Sequence, residues 1–298
     1  MPGSLRLKDF EYAAAHSVDE AVSLLAARGD RAKLLAGGTD ILVQLREHLR
    51  EADLVIDVKK IAELTTLEFS PQKGMRLGAS VPCYKIYEND AVAAAYPALA
   101  DAARIIGGWQ IQSRASIGGN LCNSSPAADS IPALIALGAI CHIAGPDGRR
   151  TLPVDQFCTA PGRNVLKRGE LLTALEFAAP TAKASSHYQR FIPRNEMDIA
   201  VAGCGAWLQL DPSGKTVQAA RLGIGAVAPT PLYAAEASDF LKGKPADEAT
   251  FQQAGDLVRK IAKPISDMRG PAEYRVHLVG VLVARSLAAA AERARKNS

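Results

Sequence analysis

The chain has no closely spaced cysteines. It has five, Cys83, Cys122, Cys141, Cys158 and Cys204, and the nearest two, Cys141 and Cys158, are 17 residues apart. That spacing excludes an iron–sulfur cluster or structural zinc built from local ligands and leaves small buried thiols as the plain reading. Nor is there a block of one charge sign: 35 basic and 31 acidic residues give a net charge of +4, which argues against nucleic-acid or membrane-surface binding. No apolar run reaches the length of a membrane span. The opening Met1-Pro2-Gly3-Ser4-Leu5-Arg6 lacks the apolar core of a signal peptide, so the expectation is a cytoplasmic protein. Internal repeats and low-complexity segments are missing as well.

Familiar chemical motifs are also missing. The chain contains neither GxxxxGK[ST] nor GxSxG. His142, His187 and His277 have no companion at metal-ligand spacing. No nucleophile–base pair or carboxylate pair makes a catalytic case, so no catalytic or metal-ligating residue is expected. One dinucleotide fingerprint does occur, Gly223-Ile224-Gly225-Ala226-Val227-Ala228, but Pro229 and Pro231 follow it. Those prolines forbid the helix the fingerprint requires, which leaves a strand with close backbone packing.

What is present is ample for a core: 298 residues, 48% apolar, enough for two domains. Ser17-Val18-Asp19-Glu20 is a capping box and Gly29 a stop, predicting a helix over 17–28. Strands are predicted at 33–36 and 54–58, with a helical turn over 40–47. A hairpin pairs 64–69 with 75–79 around Pro71-Gln72-Lys73-Gly74. Residues 90–106 read as two helices, the second starting at Pro97. A helix over 129–137 and strands over 139–144 and 171–177 complete the first part. Ala178 to Ser186, small and polar, reads as a linker. Beyond it come three strands (187–193, 200–210, 216–227) and then three helices (232–241, 247–262, 272–296), an α+β pattern with helices on an antiparallel sheet.

Two glycine segments dominate the first part. They are Ala36-Gly37-Gly38-Thr39-Asp40 and Ser116-Ile117-Gly118-Gly119-Asn120, the latter followed by Ser125-Pro126-Ala127-Ala128-Asp129. Read as turns, they let backbone N–H groups converge on an anion where no Cβ intervenes. Two such turns suit an extended phosphate gripped from both sides, as in a dinucleotide. The structural alternatives are a turn that caps a helix and, for Asp129, the N-cap of the next helix.

Leu35-Ala36-Gly37-Gly38-Thr39-Asp40, Ser116-Ile117-Gly118-Gly119-Asn120-Leu121 and Ser125-Pro126-Ala127-Ala128-Asp129 resemble the FAD-binding medium subunit of the molybdenum hydroxylases, the xanthine dehydrogenase and aerobic carbon monoxide dehydrogenase family. Arg194-Asn195-Glu196-Met197-Asp198-Ile199-Ala200 and Arg269-Gly270-Pro271-Ala272-Glu273-Tyr274-Arg275 resemble two further segments of that family, in the same order. The resemblance implies an α+β fold. A two-lobed FAD-binding domain of the vanillyl-alcohol-oxidase (PCMH) type would span 1–178, with lobes of about 1–60 and 61–178. A C-terminal domain of the CO dehydrogenase flavoprotein type would span 187–298.

The resemblance also assigns residues. Ala36, Gly37, Gly38 and Thr39 would cradle the pyrophosphate, with Leu34, Leu35, Asp40 and Ile41 along the cofactor. Ser116, Ile117, Gly118, Gly119 and Asn120 would hold it from the other lobe, and Asp129 would bind the ribose of the adenosine half. Leu172 would pack against the cofactor, and Ile106 matches a cofactor-binding position that can be aromatic in relatives. Arg190 would stand beside the flavin, in place of a lysine, and raise its potential; a surface ion pair is the structural alternative. Gln112 stands where the family resemblance implies a basic residue, and Arg114 would compensate for it. The chain would then carry FAD and relay electrons from the [2Fe–2S] clusters of a small subunit to an external acceptor. Hydroxylation would occur on a large molybdopterin subunit, in a dimer of heterotrimers. The cysteine spacing gives no sign of a [4Fe–4S] insertion. Two alternatives remain: a structural or assembly subunit with weak or no FAD binding, and a free-standing FAD reductase of the same fold.

Overall fold

The computed structural model describes residues 8–194 and 197–297. The expectation for the extreme N-terminus, and Asn195 and Glu196 of the arginine segment, lie outside the described residues. A small lobe comes first. Strands β1 (Glu11–Ala14), β2 (Ala32–Leu35) and β3 (Leu54–Asp57) form a parallel sheet in the order β1-β3-β2. Helix α1 (Val18–Arg28) connects β1 to β2. The Ser17 hydroxyl accepts from the Glu20 amide at 3.1 Å, and the Glu20 carboxylate accepts from the His16 amide at 2.8 Å. Gly29, at φ 56°, ends the helix. The inner side of α1, Val18, Ala21 and Leu25, packs on Ala32, Leu54 and Ile56. Helix α2 (Ile41–Arg46) follows β2.

The larger lobe runs through α3 (Ala62–Thr65), β4 (Leu67–Ser70), β5 (Gly74–Gly78), α4 (Tyr84–Tyr87), α5 (Asp90–Ala95), α6 (Pro97–Ala103), α7 (Trp109–Gln112), α8 (Ile117–Asn123) and α9 (Ser130–Ala136). It ends with β6 (Ile140–Gly145), β7 (Gly148–Pro153), the short pair β8 (Cys158–Ala160) and β9 (Arg163–Asn164), and β10 (Leu171–Phe177). Its antiparallel sheet has the order β4-β5-β10-β6-β7, so the last strand fills the centre. The predicted hairpin begins later than expected, because Ala62–Thr65 closes a helical turn that buries Leu64. Phe157, Phe177, Leu77, Leu121, Ile131 and Leu134 form the core beneath the sheet.

Beyond residue 183 a second antiparallel sheet takes over, in the order β11 (Ala184–Phe191), β12 (Ala202–Leu210), β13 (Val217–Gly225), β14 (Leu232–Tyr233). The expected linker is therefore shorter, since Ala184 already pairs with Gln209. Helices α10 (Ala235–Leu241), α11 (Glu248–Ile261) and α12 (Ala272–Lys296) cover one face. By length and composition α12 could cross a membrane, yet half of its most apolar stretch is buried against the sheet and α11.

The opposite face of this sheet rests on α9. An added Cβ on Gly205 or Gly223 would lie 2.4 or 2.3 Å from the Pro132 carbonyl oxygen. These glycines admit a helix backbone, so Gly223-Ile224-Gly225 is the close-packed strand its prolines required. The two parts are also tied by Arg293, which donates to Asp101 at 2.7 and 3.1 Å and to the Ser186 carbonyl at 2.9 Å.

Candidate functional site

The first glycine segment is a true turn between β2 and α2, with Gly38 at φ 81°. Gly37 serves a different purpose. Its Cβ would lie 2.2 Å from the Arg114 carbonyl oxygen, so the glycine lets the small lobe rest directly on the larger lobe's backbone. The amides of Gly37, Gly38, Thr39, Asp40 and Ile41 find no acceptor among the described residues. Five consecutive free donors beside a helix start are a concentrated source of positive potential.

The second glycine segment is not a turn. It is the first turn of α8, capped by Ser116, whose hydroxyl accepts from the Gly119 amide at 3.0 Å. Gly118 is required by packing, since its Cβ would fall 2.4 Å from the Ala79 carbonyl oxygen. Gly119 alone is open, because a Cβ there would meet only the Ser116 hydroxyl, at 3.0 Å. The Asn120 side chain accepts from the Ser130 hydroxyl at 2.6 Å and so ties α8 to α9. A hydrogen bond of 3.1 Å from Gln44 to Asn123 links the two lobes.

Between these segments lies a cleft of about 530 Å³. Its walls include Leu34, Ala36, Gly37, Gly38, Thr39, Asp40, Ile41, Ile106, Ser116, Gly118, Gly119, Asn120, Asp129, Leu172 and Arg190. Of the expected contact residues, Leu35 and Ile117 do not line it. Leu35 points to the opposite side of β2 from Leu34 and packs toward Leu45 and Val55, and Ile117 is buried in the larger lobe's core. The sequence reading missed several wall residues, among them Lys33, Arg50, Gly107, Ile111 and Ile199. Lys33 carries a signal, since it precedes the glycine turn on the same strand; Arg50 carries none. Lys33 donates to the Asp30 carbonyl at 2.6 Å, and burial followed by the nearby Arg50 charge lowers its pKa.

Asp129 stands at the N-cap position of α9, but its side chain accepts no bond from that helix. Its Oδ1 accepts from the Tyr188 hydroxyl at 2.9 Å and its Oδ2 from Arg190 Nη1 at 2.6 Å. Burial pushes the carboxyl up to about 6, outweighing both the Arg190 charge and the two hydrogen bonds. The Arg190 side chain is only 7% exposed, so this is a buried pair and not a surface one. The two residues for which separate roles are expected are thus in direct contact. Gln112 is buried away from the cleft: it accepts from the Tyr87 hydroxyl at 2.8 Å and donates to the Arg104 carbonyl at 2.7 Å. Arg114 contributes its backbone carbonyl, under Gly37.

The donor set fits a pyrophosphate. Turn amides without an acceptor among the described residues and two cations, Lys33 and Arg50, line one cleft with the half-buried Gly119. Apolar walls from Ile106, Ile111 and Leu172 suit a flat ring. No group of three metal-ligating side chains occurs among the described residues, and the five cysteines are free.

The chain matches two family models: "FAD binding domain in molybdopterin dehydrogenase" over residues 8–180 and "CO dehydrogenase flavoprotein C-terminal domain" over residues 187–290. It is 32% identical over 285 residues to the xanthine dehydrogenase FAD-binding subunit of Escherichia coli O157:H7, covering 94% of this chain and 97% of that one. It is 33% identical over 281 residues to the carbon monoxide dehydrogenase medium chain of Hydrogenophaga pseudoflava, covering 94% and 96%. A solved structure of the Hydrogenophaga pseudoflava carbon monoxide dehydrogenase superposes with a TM-score of 0.92 over 97% of this chain and 99% of that one, at 33% identity. Quinoline 2-oxidoreductase from Pseudomonas putida 86 superposes at 0.88 over the same shares, at 27% identity.

Proposed function

The chain belongs to the FAD-binding medium subunits of the molybdenum hydroxylases, and on that premise we propose that FAD lies in the cleft between the two glycine segments. The protein is an FAD-carrying electron-transfer subunit of an oxidoreductase complex. The observation that carries the placement is the run of amides from Gly37 to Ile41, which find no acceptor among the described residues and belong to residues that line the cleft together with the start of α8. In this reading they hold the pyrophosphate with Ser116, Gly118, Gly119 and Asn120. Ile106, Ile111 and Leu172 wall the ring from water, and Asp129 with Arg190 stands at the flavin end. Bound FAD supplies the redox chemistry, and the protein supplies position and electrostatics.

We assign the division of the chain to an FAD-binding domain over 1–178 and a C-terminal domain over 187–298. The iron–sulfur and molybdopterin centres lie on partner subunits. We place the assembly as a dimer of heterotrimers in the cytoplasm. The chain, purified with its partners, is expected to be yellow and to release one FAD per copy on denaturation. A colourless preparation that takes up no added FAD would overturn the reading in favour of an assembly role.

Lys33 and Arg50 give a finer check. If they meet the pyrophosphate charge, replacing each by alanine weakens FAD binding by about 1 kcal/mol, and by less as salt rises. Titrating FAD into apo-protein at low and high salt measures both effects.

A further inference from the structure

Asp129 enters the floor of the cleft from the start of α9, while Tyr188 and Arg190 stand two residues apart on one face of β11. Both carboxylate oxygens are taken from that strand, by Tyr188 at 2.9 Å and Arg190 at 2.6 Å. The guanidinium that lines the cleft is therefore neutralised by a carboxylate that also lines it. Tyr188 does not line the cleft; it is 3% exposed and touches the site only through Asp129. Its hydroxyl has a built recess, because a Cβ on Gly203 of β12 would sit 2.9 Å from it.

We propose that Tyr188 is a positioning residue of the cofactor site: by holding the Asp129 carboxylate charged and against Arg190, it keeps that end of the cleft electrically neutral and so lowers the reduction potential of the flavin bound there. The inference rests on FAD occupying the cleft with its flavin at this end. Reduction adds negative charge to the flavin, and an unneutralised guanidinium beside it would favour reduction. Asp129 removes that advantage as long as it is ionised. Burial works against its ionisation, and the Tyr188 hydroxyl and Arg190 oppose burial. The other titratable groups near the trio are Cys204 of β12, Asp198, which Arg194 holds ionised, and Asp40 at the mouth of the cleft. Asp101 of α6, which accepts from the Tyr188 amide at 3.2 Å, is committed to Arg293. None of these contacts the Asp129 carboxylate.

The test is spectroelectrochemical titration of the flavin in the assembled complex, from mildly acid to mildly alkaline pH. Asp129→Asn is expected to raise the midpoint potential throughout. Tyr188→Phe is expected to raise it at neutral pH and to move the step caused by Asp129 protonation to higher pH. In the Asp129→Asn background, Tyr188→Phe should add nothing. A Tyr188→Phe potential that matches wild type at every pH would overturn the proposal. So would a shift that survives in the Asp129→Asn background, since Tyr188 would then act by packing alone. Where Asp129→Asn fails to fold, the position of the pH step in Tyr188→Phe decides. FAD content is read on the same samples: absence of FAD from wild type removes the cleft assignment, whereas bound FAD with an unmoved potential removes only the role of Tyr188.

Discussion

Gly37→Ala should yield protein with little or no FAD, because the new Cβ would land 2.2 Å from the Arg114 carbonyl oxygen and 2.6 Å from its carbon. No flexible side chain can move aside at that contact; the two backbones must part. Overpacking costs about 1–3 kcal/mol where neighbours can adjust, and a backbone-to-backbone clash belongs at the upper end or beyond. At about 1.4 kcal/mol per tenfold, a loss of ~3 kcal/mol in the closed arrangement of the lobes weakens FAD binding more than a hundredfold. Calorimetric titration of apo-protein with FAD measures it. Gly119→Ala is the control that separates lobe contact from cofactor contact. Its Cβ meets only the Ser116 hydroxyl, at 3.0 Å, and it lies in a helix, where alanine is favoured. It should keep or raise the melting temperature while lowering FAD affinity, because the methyl projects into the cleft. If Gly37→Ala bound FAD like wild type, the lobes would not meet as described.

These two glycines also show what the sequence could and could not disclose. Local signals were legible wherever the chain satisfies its own backbone nearby: Ser17 and Glu20 at the start of α1, Pro97 opening α6, and the tight turn between β4 and β5. The cleft itself was legible, since fifteen of the seventeen expected cofactor contacts line it, all but Leu35 and Ile117. The reason for each glycine was not. Gly37 and Gly118 looked like open anion contacts but are glycine because Arg114 and Ala79 press on them, and those neighbours are distant in sequence or on another element. The Gly-Gly pair also disguised α8, as two glycines in succession lower helix propensity while the Ser116 cap and the docking on Ala79 restore it. The Asp129 contacts span 59 and 61 residues and cross from the start of α9 to β11. Such a contact leaves no local pattern, so the pairing of Asp129 with Tyr188 and Arg190 was not legible.

The second large effect is expected far from the glycines, at Arg275. This side chain is 4% exposed on the inner face of α12. Its Nη1 donates to the Val201 carbonyl at 2.9 Å and to the Ala226 carbonyl at 3.3 Å, and its Nη2 to Asp267 at 2.6 Å; its Nε is buried without a partner. One planar cation thus fastens the entry of β12, the exit of β13 and the loop before α12. Arg275→Met removes the charge and strands two buried carbonyls and Asp267, a change that typically costs about 3–5 kcal/mol. For a unit of roughly a hundred residues that is a fall in melting temperature of the order of 10 °C or more, measurable by thermal denaturation. Arg275→Lys should recover little, since a single ammonium cannot reach both strands and the carboxylate at once. Asp267→Asn should cost much less, because that side chain is 27% exposed and water can replace part of what it loses. The consequence reaches the cofactor, because Val201 directly follows the segment whose Asp198 and Ile199 wall the cleft. Loosening Val201 should therefore raise the FAD dissociation constant of Arg275→Met even below its melting temperature. An Arg275→Lys protein with the melting temperature of wild type would show that the fork geometry does not hold these strands together.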